Sequence, residues 1–161
     1  MLPRLLNKNE VEEILNYCLY RYEVSPFVFE NYKFLKRKEG VWLHPKDITS
    51  GDINCEIFET SGLRILSGKE FPYKITMGFV RLFFKKMNKG VVEVDKEVAL
   101  SLLQRNCLNV EGHSLFEKLA KGYYVFCIQG KPLGIFLKTK KEIISQVPKS
   151  FSTQLKRKLN V

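Results

Sequence analysis

The sequence predicts an α+β protein of two small domains, residues 1–89 and 90–161. Three observations carry this. Apolar residues recur at helical spacing near the start, short strand-like runs broken by turn residues fill most of the rest, and the charge balance shifts at about residue 90. A chain of 161 residues with 45% hydrophobic content is long and apolar enough to bury a core, as one compact domain or as two sharing an interface.

Taken in order, residues 9–22 place Val11, Ile14, Leu15, Cys18, Leu19 and Tyr22 on one helical face. Asn9 is the expected N-cap, with Glu12 three positions on completing a capping box. A short helix or turn is expected over residues 26–32. Lys33-Phe34-Leu35 and Val41-Trp42-Leu43 then flank the turn Arg37-Lys38-Glu39-Gly40 as a hairpin. Residues 53–58 and 62–66 read as strands. Residues 76–87 read as a helix burying Phe79, Leu82, Phe83 and Met87, ended by Asn88-Lys89-Gly90.

Beyond this boundary, residues 91–94 form a predicted strand, and Asp95 caps a predicted helix over residues 96–104 with Val98 and Leu102 inward. A loop over residues 109–113 and a short helix near residues 115–119 follow. The run Tyr123-Tyr124-Val125-Phe126-Cys127-Ile128 is the strongest strand signal in the chain. Gln129-Gly130-Lys131-Pro132 turns it into a second strand over residues 133–137. The alternation predicts a closed or nearly closed β unit over residues 91–148, packed against the first domain, with Val98, Leu102, Val125, Cys127, Ile135 and Leu137 in its core.

The 27 Lys and Arg outnumber 17 Asp and Glu, a formal net charge of +10, which favours a polyanionic partner. Residues 1–90 carry 15 bases and 11 acids, a net of +4; residues 91–161 carry 12 and 6, a net of +6 from a shorter segment. The second half is the better expected polyanion binder. No apolar run is long enough to span a membrane, and MLPRLLNKNE lacks the sustained apolar stretch of a signal peptide, so the expected location is cytoplasmic. Cys18, Cys55, Cys107 and Cys127 form no CxxC pair and read as buried thiols.

Catalytic chemistry finds little support. There is no glycine-rich strand-to-helix loop for a dinucleotide or S-adenosylmethionine and no P-loop, so no cofactor is expected. The two histidines, His44 and His113, lack metal-ligand spacing; His44 reads as a surface residue at a strand end and His113 as a loop or cap residue. Asp47 and Asp52 read as solvated turn carboxylates, and Ser50, Ser61 and Ser67 have no identifiable base. The expectation is a protein that is not an enzyme. Trp42 fits a core or an interface equally, and one of Tyr123 and Tyr124 is a candidate to face outward and stack a base.

The segment Gly90-Val91-Val92-Glu93-Val94, a helix from Asp95, a loop with Gly112, then Lys121-Gly122-Tyr123-Tyr124-Val125-Phe126 and Gly130-Lys131-Pro132-Leu133-Gly134-Ile135 resembles a PUA domain over roughly residues 90–148. It departs from the family pattern at Gln104-Arg105-Asn106-Cys107-Leu108 and Glu111-Gly112. The resemblance implies a PUA-like β pseudo-barrel that grips structured RNA, here preceded by an α/β pre-PUA unit. An α/β unit with Gly62-Leu63-Arg64-Ile65 and a helix from Thr76, followed by such a module, is similar to small ribosome-biogenesis factors of the Nip family. It is also similar to the RNA-binding tail of Nop2/Sun-type RNA cytosine methyltransferases.

The expected function is therefore non-catalytic binding of structured RNA, rRNA or tRNA, in ribosome biogenesis or RNA modification. A ribosome-assembly or RNA-modification protein is a further expected partner, and an adaptor making mainly protein contacts is the alternative. The expected RNA-binding residues are Lys118, Lys121, Tyr123, Lys131, Lys138, Lys140, Lys141, Lys149, Lys156, Arg157 and Lys158, converging as one stripe on a rim of the β unit.

Overall fold

Helix α1, Lys8–Tyr22, begins two residues earlier than its spacing suggests, because Asn7 and not Asn9 is its cap. The Asn7 side chain accepts from the Glu10 amide at 3.0 Å, and the Glu10 carboxylate accepts from the Asn7 amide at 2.9 Å. The pattern Asn-x-x-Glu occurs twice in succession, and Arg4 decides between the two copies. Its guanidinium donates to both Glu10 oxygens, at 2.8 and 2.5 Å, and this bond above all holds the Glu10 carboxyl down at about 2.

The computed structural model describes residues 4–46, 62–69 and 72–159. The strand expected at residues 53–58, the carboxylates Asp47 and Asp52, Ser50, Ser61 and Cys55 lie outside the described residues. Two units partition the chain, Met1–Lys89 and Gly90–Val161. No helix among the described residues is long and apolar enough to cross a membrane.

The first unit holds an antiparallel sheet in sequential order: β1 Arg4–Leu5, β2 Tyr32–Lys36, β3 Gly40–Pro45, β4 Leu63–Ser67 and β5 Lys74–Ile75. The expected hairpin is β2–β3, with Phe34 opposite Leu43 and Leu35 opposite Trp42. A 3₁₀ turn, Pro26–Phe29, precedes it. Helix α2, Met77–Phe83, is capped by Thr76, whose hydroxyl also donates to the Arg64 carbonyl on β4. Gly78 lets that helix lie directly on the strand, since a Cβ there would run into the same carbonyl.

Aromatic rings then join helix to sheet. Tyr22 meets Phe79 at 5.4 Å between centroids, Phe29 meets Phe83 at 4.5 Å, and Phe29 meets Phe34 at 5.7 Å. Each such buried ring contributes about 1.5–3 kcal/mol by leaving water. Two expectations are corrected here. Leu82 is exposed and Val80 is buried in its place, and His44 is buried within β3 instead of lying at the surface. Trp42 is half-buried beneath the Arg37 guanidinium, 4.3 Å from the ring centroid.

The second unit contains β6 Val91–Glu93, α3 Lys96–Arg105, β7 Cys107–Asn109, α4 Ser114–Glu117, β8 Gly122–Ile128, β9 Lys131–Lys138, β10 Glu142–Ser145 and α5 Lys149–Leu159. Asp95 caps α3 as the sequence suggests, accepting from the Val98 amide at 2.8 Å. The sheet order is β6-β8-β9-β10-β7, with β6 parallel to β8 and every other pair antiparallel. The sheet is open. β6 and β7 are its two edges and no ladder joins them among the described residues, so the expected closure into a barrel is not observed.

One face of this sheet packs Val92, Tyr124, Phe126, Leu133, Phe136 and Ile143 with Ala99 and Leu102 of α3 and with Phe116 of α4. Phe116, Phe126 and Phe136 stack in a column, 5.6 and 4.5 Å between successive centroids. A bulge between Phe126 and Cys127 inserts Leu133 opposite, so the face takes Leu133 and Phe136 and leaves Ile135 and Leu137 on the other side. Val125, Cys127 and Ile135 are buried there, whereas Leu137 and Val98 are only half-buried.

Helix α5 was not anticipated from the sequence, and it runs antiparallel to α3. The Ser152 hydroxyl donates to the Leu103 carbonyl at 2.9 Å near the end of α3, while Lys158 and Leu159 share a cleft with Lys96 at its start.

Candidate nucleic-acid interface

Strand β9 carries Lys131 at its first residue and Lys138 at its last, and these two positions organise the basic side chains of the second unit. At about 3.3 Å per residue they are roughly 23 Å apart along the strand. The single rim expected from the sequence is thus two sites, at opposite ends of the β8–β9 hairpin.

At the Lys138 end, a cleft of about 680 Å³ is lined by Asn109, Val110, Glu111, Glu117, Glu142 and the lysines Lys138, Lys140 and Lys141. The local fold follows from the tight β9–β10 turn. The Thr139 hydroxyl accepts from the amides of Lys141 and Glu142, at 3.3 and 3.0 Å, and the Lys141 carbonyl accepts from the Val110 amide at 2.8 Å. These bonds hold Lys140 and Lys141 exposed at the cleft edge.

Lys138 is different, being only 5% exposed. Its neighbours in the ladder are Gly122 on β8 and Ile143 on β10. The ammonium donates to the Thr139 carbonyl at 2.6 Å. No carboxylate is within ion-pair distance of it among the described residues. A buried ammonium held by a neutral carbonyl has given up hydration, and the carboxylates of Glu111, Glu117 and Glu142 share its cleft without pairing with it. Lys118 and Lys121 are exposed in the segment leading into β8, at this same end of the sheet.

At the Lys131 end, a second cleft of about 540 Å³ is lined by Lys96, Lys131 and Lys158 over Ile128, Pro132, Leu133, Leu155 and Leu159, with Gln129 at its edge. Among the described residues its lining includes no carboxylate. Lys96 is a contributor the sequence reading missed. The cause is register: with β6 parallel to β8, Asp95 and Lys96 emerge beside the Gln129-Gly130 turn.

Neither a protein-family model nor a curated protein matches this chain. What the arrangement can do is therefore read from its own side chains.

Among the other expected residues, Tyr123 is half-buried on the sheet face opposite Tyr124, across from Leu137. Tyr124 is buried and its hydroxyl donates to the Ala120 carbonyl at 2.9 Å, which leaves Tyr123 as the more accessible ring. Lys149 lies at the start of α5, while Lys156, half-buried, and the exposed Arg157 fall in its last turn with Lys158. Thus the structure brings together Lys138, Lys140 and Lys141 in one place and Lys131 and Lys158 in another.

No group of three His, Cys, Asp or Glu side chains suited to a metal occurs among the described residues. Cys127 is buried and donates to the Glu93 carboxylate at 3.0 Å; burial first, then Glu93, raises its thiol to about 12. Burial does the same to Cys18. Such thiols are poor nucleophiles. Cys107, expected to be buried, is exposed because β7 is a short edge strand.

Proposed function

We propose that this protein binds structured RNA without acting on it chemically, as a factor in ribosome biogenesis or RNA modification, with rRNA or tRNA as the RNA and the cytoplasm as the place. The observation that carries the reading is Lys138, a buried ammonium without a carboxylate partner, facing a cleft that Lys140 and Lys141 also line. The three ammonium groups share this concavity with the carboxylates of Glu111, Glu117 and Glu142, and they lie in the half of the chain with the larger positive excess, which suits a phosphate backbone. The resemblance of residues 90–148 to a PUA domain points the same way.

The test is a fluorescence-anisotropy titration of the protein with a labelled RNA hairpin over a range of KCl. The reading predicts binding whose log affinity falls linearly with log salt, with a slope of about 0.7–0.9 per phosphate contact. Absence of binding at low salt contradicts it.

A protein-adaptor reading draws on a different surface. In the first unit, Leu5 and Phe27 are exposed, Phe27 by 73%, and Leu5 borders an apolar groove with Val11, Leu15, Pro26 and Phe34. Association with a protein partner that is tight and insensitive to salt, in a protein that does not shift RNA, would favour this second reading.

A further inference from the structure

We propose that the cleft at the Lys131 end holds one unpaired nucleotide of the bound RNA, its phosphate among Lys96, Lys131 and Lys158 and its base on the apolar floor. The inference rests on the RNA-binding reading and adds to it a second, chemically distinct subsite. The two clefts differ in what they ask of a ligand. The Lys138 cleft mixes lysines with Glu111, Glu117 and Glu142, and Val110 is its one apolar residue among those described. Among the described residues, the Lys131 cleft is lined by three cations, no carboxylate and five apolar residues.

A bare phosphate would use only the cations and leave the floor of Pro132, Leu133, Leu155 and Leu159 wet. A purely apolar ligand would leave three ammonium groups desolvated without a counter-charge. The ligand that satisfies both parts is an anion joined to a flat, mostly apolar ring, which is the make-up of a nucleotide. The volume, about 540 Å³, lies in the range of about 300–1,000 Å³ that suits a small-molecule-sized group. A paired stem keeps its bases stacked inside the helix, so only an unpaired nucleotide can present a base face to this floor.

The turn that forms the edge supports the assignment. Gln129 and Gly130 have φ of 50° and 70°, the two-residue hairpin turn in which both residues are left-handed. The turn is tied down by the Glu93 carboxylate, which accepts from the Gly130 amide at 3.4 Å and from Cys127 Sγ. Gln129 is thereby placed at the cleft with an amide that both donates and accepts, as the edge of a base requires.

The experiment compares a blunt RNA hairpin with the same hairpin extended by one unpaired 3′ nucleotide. Both are titrated by anisotropy against the whole protein and against the variants Leu155→Gln and Lys131→Gln/Lys158→Gln, each checked for native circular dichroism. The wild type is expected to bind the extended hairpin about tenfold more tightly than the blunt one. Each variant is expected to lose most of that preference, and Leu155→Gln to bind the blunt hairpin within about twofold of wild type. If both hairpins bind the wild type equally, or the variants keep the full preference, the nucleotide subsite is overturned while RNA binding stands. If neither hairpin binds the wild type, the RNA-binding reading itself fails and the subsite with it.

Discussion

Lys138 stands directly opposite Gly122 in the β8–β9 ladder, and it is buried on the packed face of the sheet. Its stem is therefore structural and only its tip faces the cleft. Lys138→Met should fold with a stability close to wild type, since the apolar stem is kept and a buried charge is removed. Lys138→Glu should be destabilised by about 3 kcal/mol or more, because it buries an unpaired carboxylate beside Glu117 and Glu142. Urea denaturation of the two variants checks this, and equal midpoints would contradict it.

The aromatic column sets a second expectation. Phe136 is fully buried between Phe126 and the rest of the packed face, so Phe136→Ala should cost about 3–5 kcal/mol. Leu137, one residue on and half-buried, should cost about 1 kcal/mol as alanine. A Leu137→Ala loss matching that of Phe136→Ala in chemical denaturation would mean the faces of β9 are assigned the wrong way round.

Helix α5 depends on one polar contact that can be removed cleanly. Ser152→Ala leaves the Leu103 carbonyl, one of the last four of α3, without the hydroxyl it accepts, at an expected cost of about 1–2 kcal/mol. Hydrogen exchange should show faster exchange over residues 149–159 in the variant, and unchanged protection there would contradict the contact.

Thiol ionisation links stability to alkaline pH. Burial raises both Cys18 and Cys127 to about 12 from an ordinary value of 9.0, so the folded protein holds protons that the unfolded chain releases. Their contribution to stability is complete below pH 9 and is lost as pH rises from about 9 towards 12. The urea midpoint should accordingly fall between pH 8 and pH 11, by less in Cys127→Ala than in wild type. In the native protein Cys107 should alkylate well before Cys18 or Cys127 at pH 8, read by peptide mass spectrometry.

Much of this fold is legible in local signals. The β2–β3 hairpin, the Asp95 cap and the paired strands around Gln129-Gly130 follow from turn chemistry and apolar runs, which act over a few residues. What escapes is set by partners distant in sequence. Asn7 displaces Asn9 as the α1 cap because Arg4 supports Glu10, and the bulge at Phe126 decides which half of β9 faces the column. Helix α5 had a signal in Phe151, Leu155 and Leu159 at four-residue spacing after Pro148, but its sequence is otherwise polar and its packing rests on α3. The candidate site was legible in kind and not in layout. Lysines at turns announce a basic surface, whereas the burial of Lys138 and the arrival of Lys96 beside Lys131 depend on strand register.

If RNA is held at the Lys138–Lys141 end of the second unit, charge reversal there and charge reversal elsewhere will differ in effect. Lys140→Glu/Lys141→Glu is compared with Lys8→Glu/Lys85→Glu, an equal change at exposed lysines of the first unit, by anisotropy titrations of an RNA hairpin from low to high KCl. The first variant should lose much more low-salt affinity, with its salt slope reduced by about 0.7–0.9 for each phosphate contact removed. Equal losses and equal slopes for the two variants would reduce the effect to net charge and contradict a localised site.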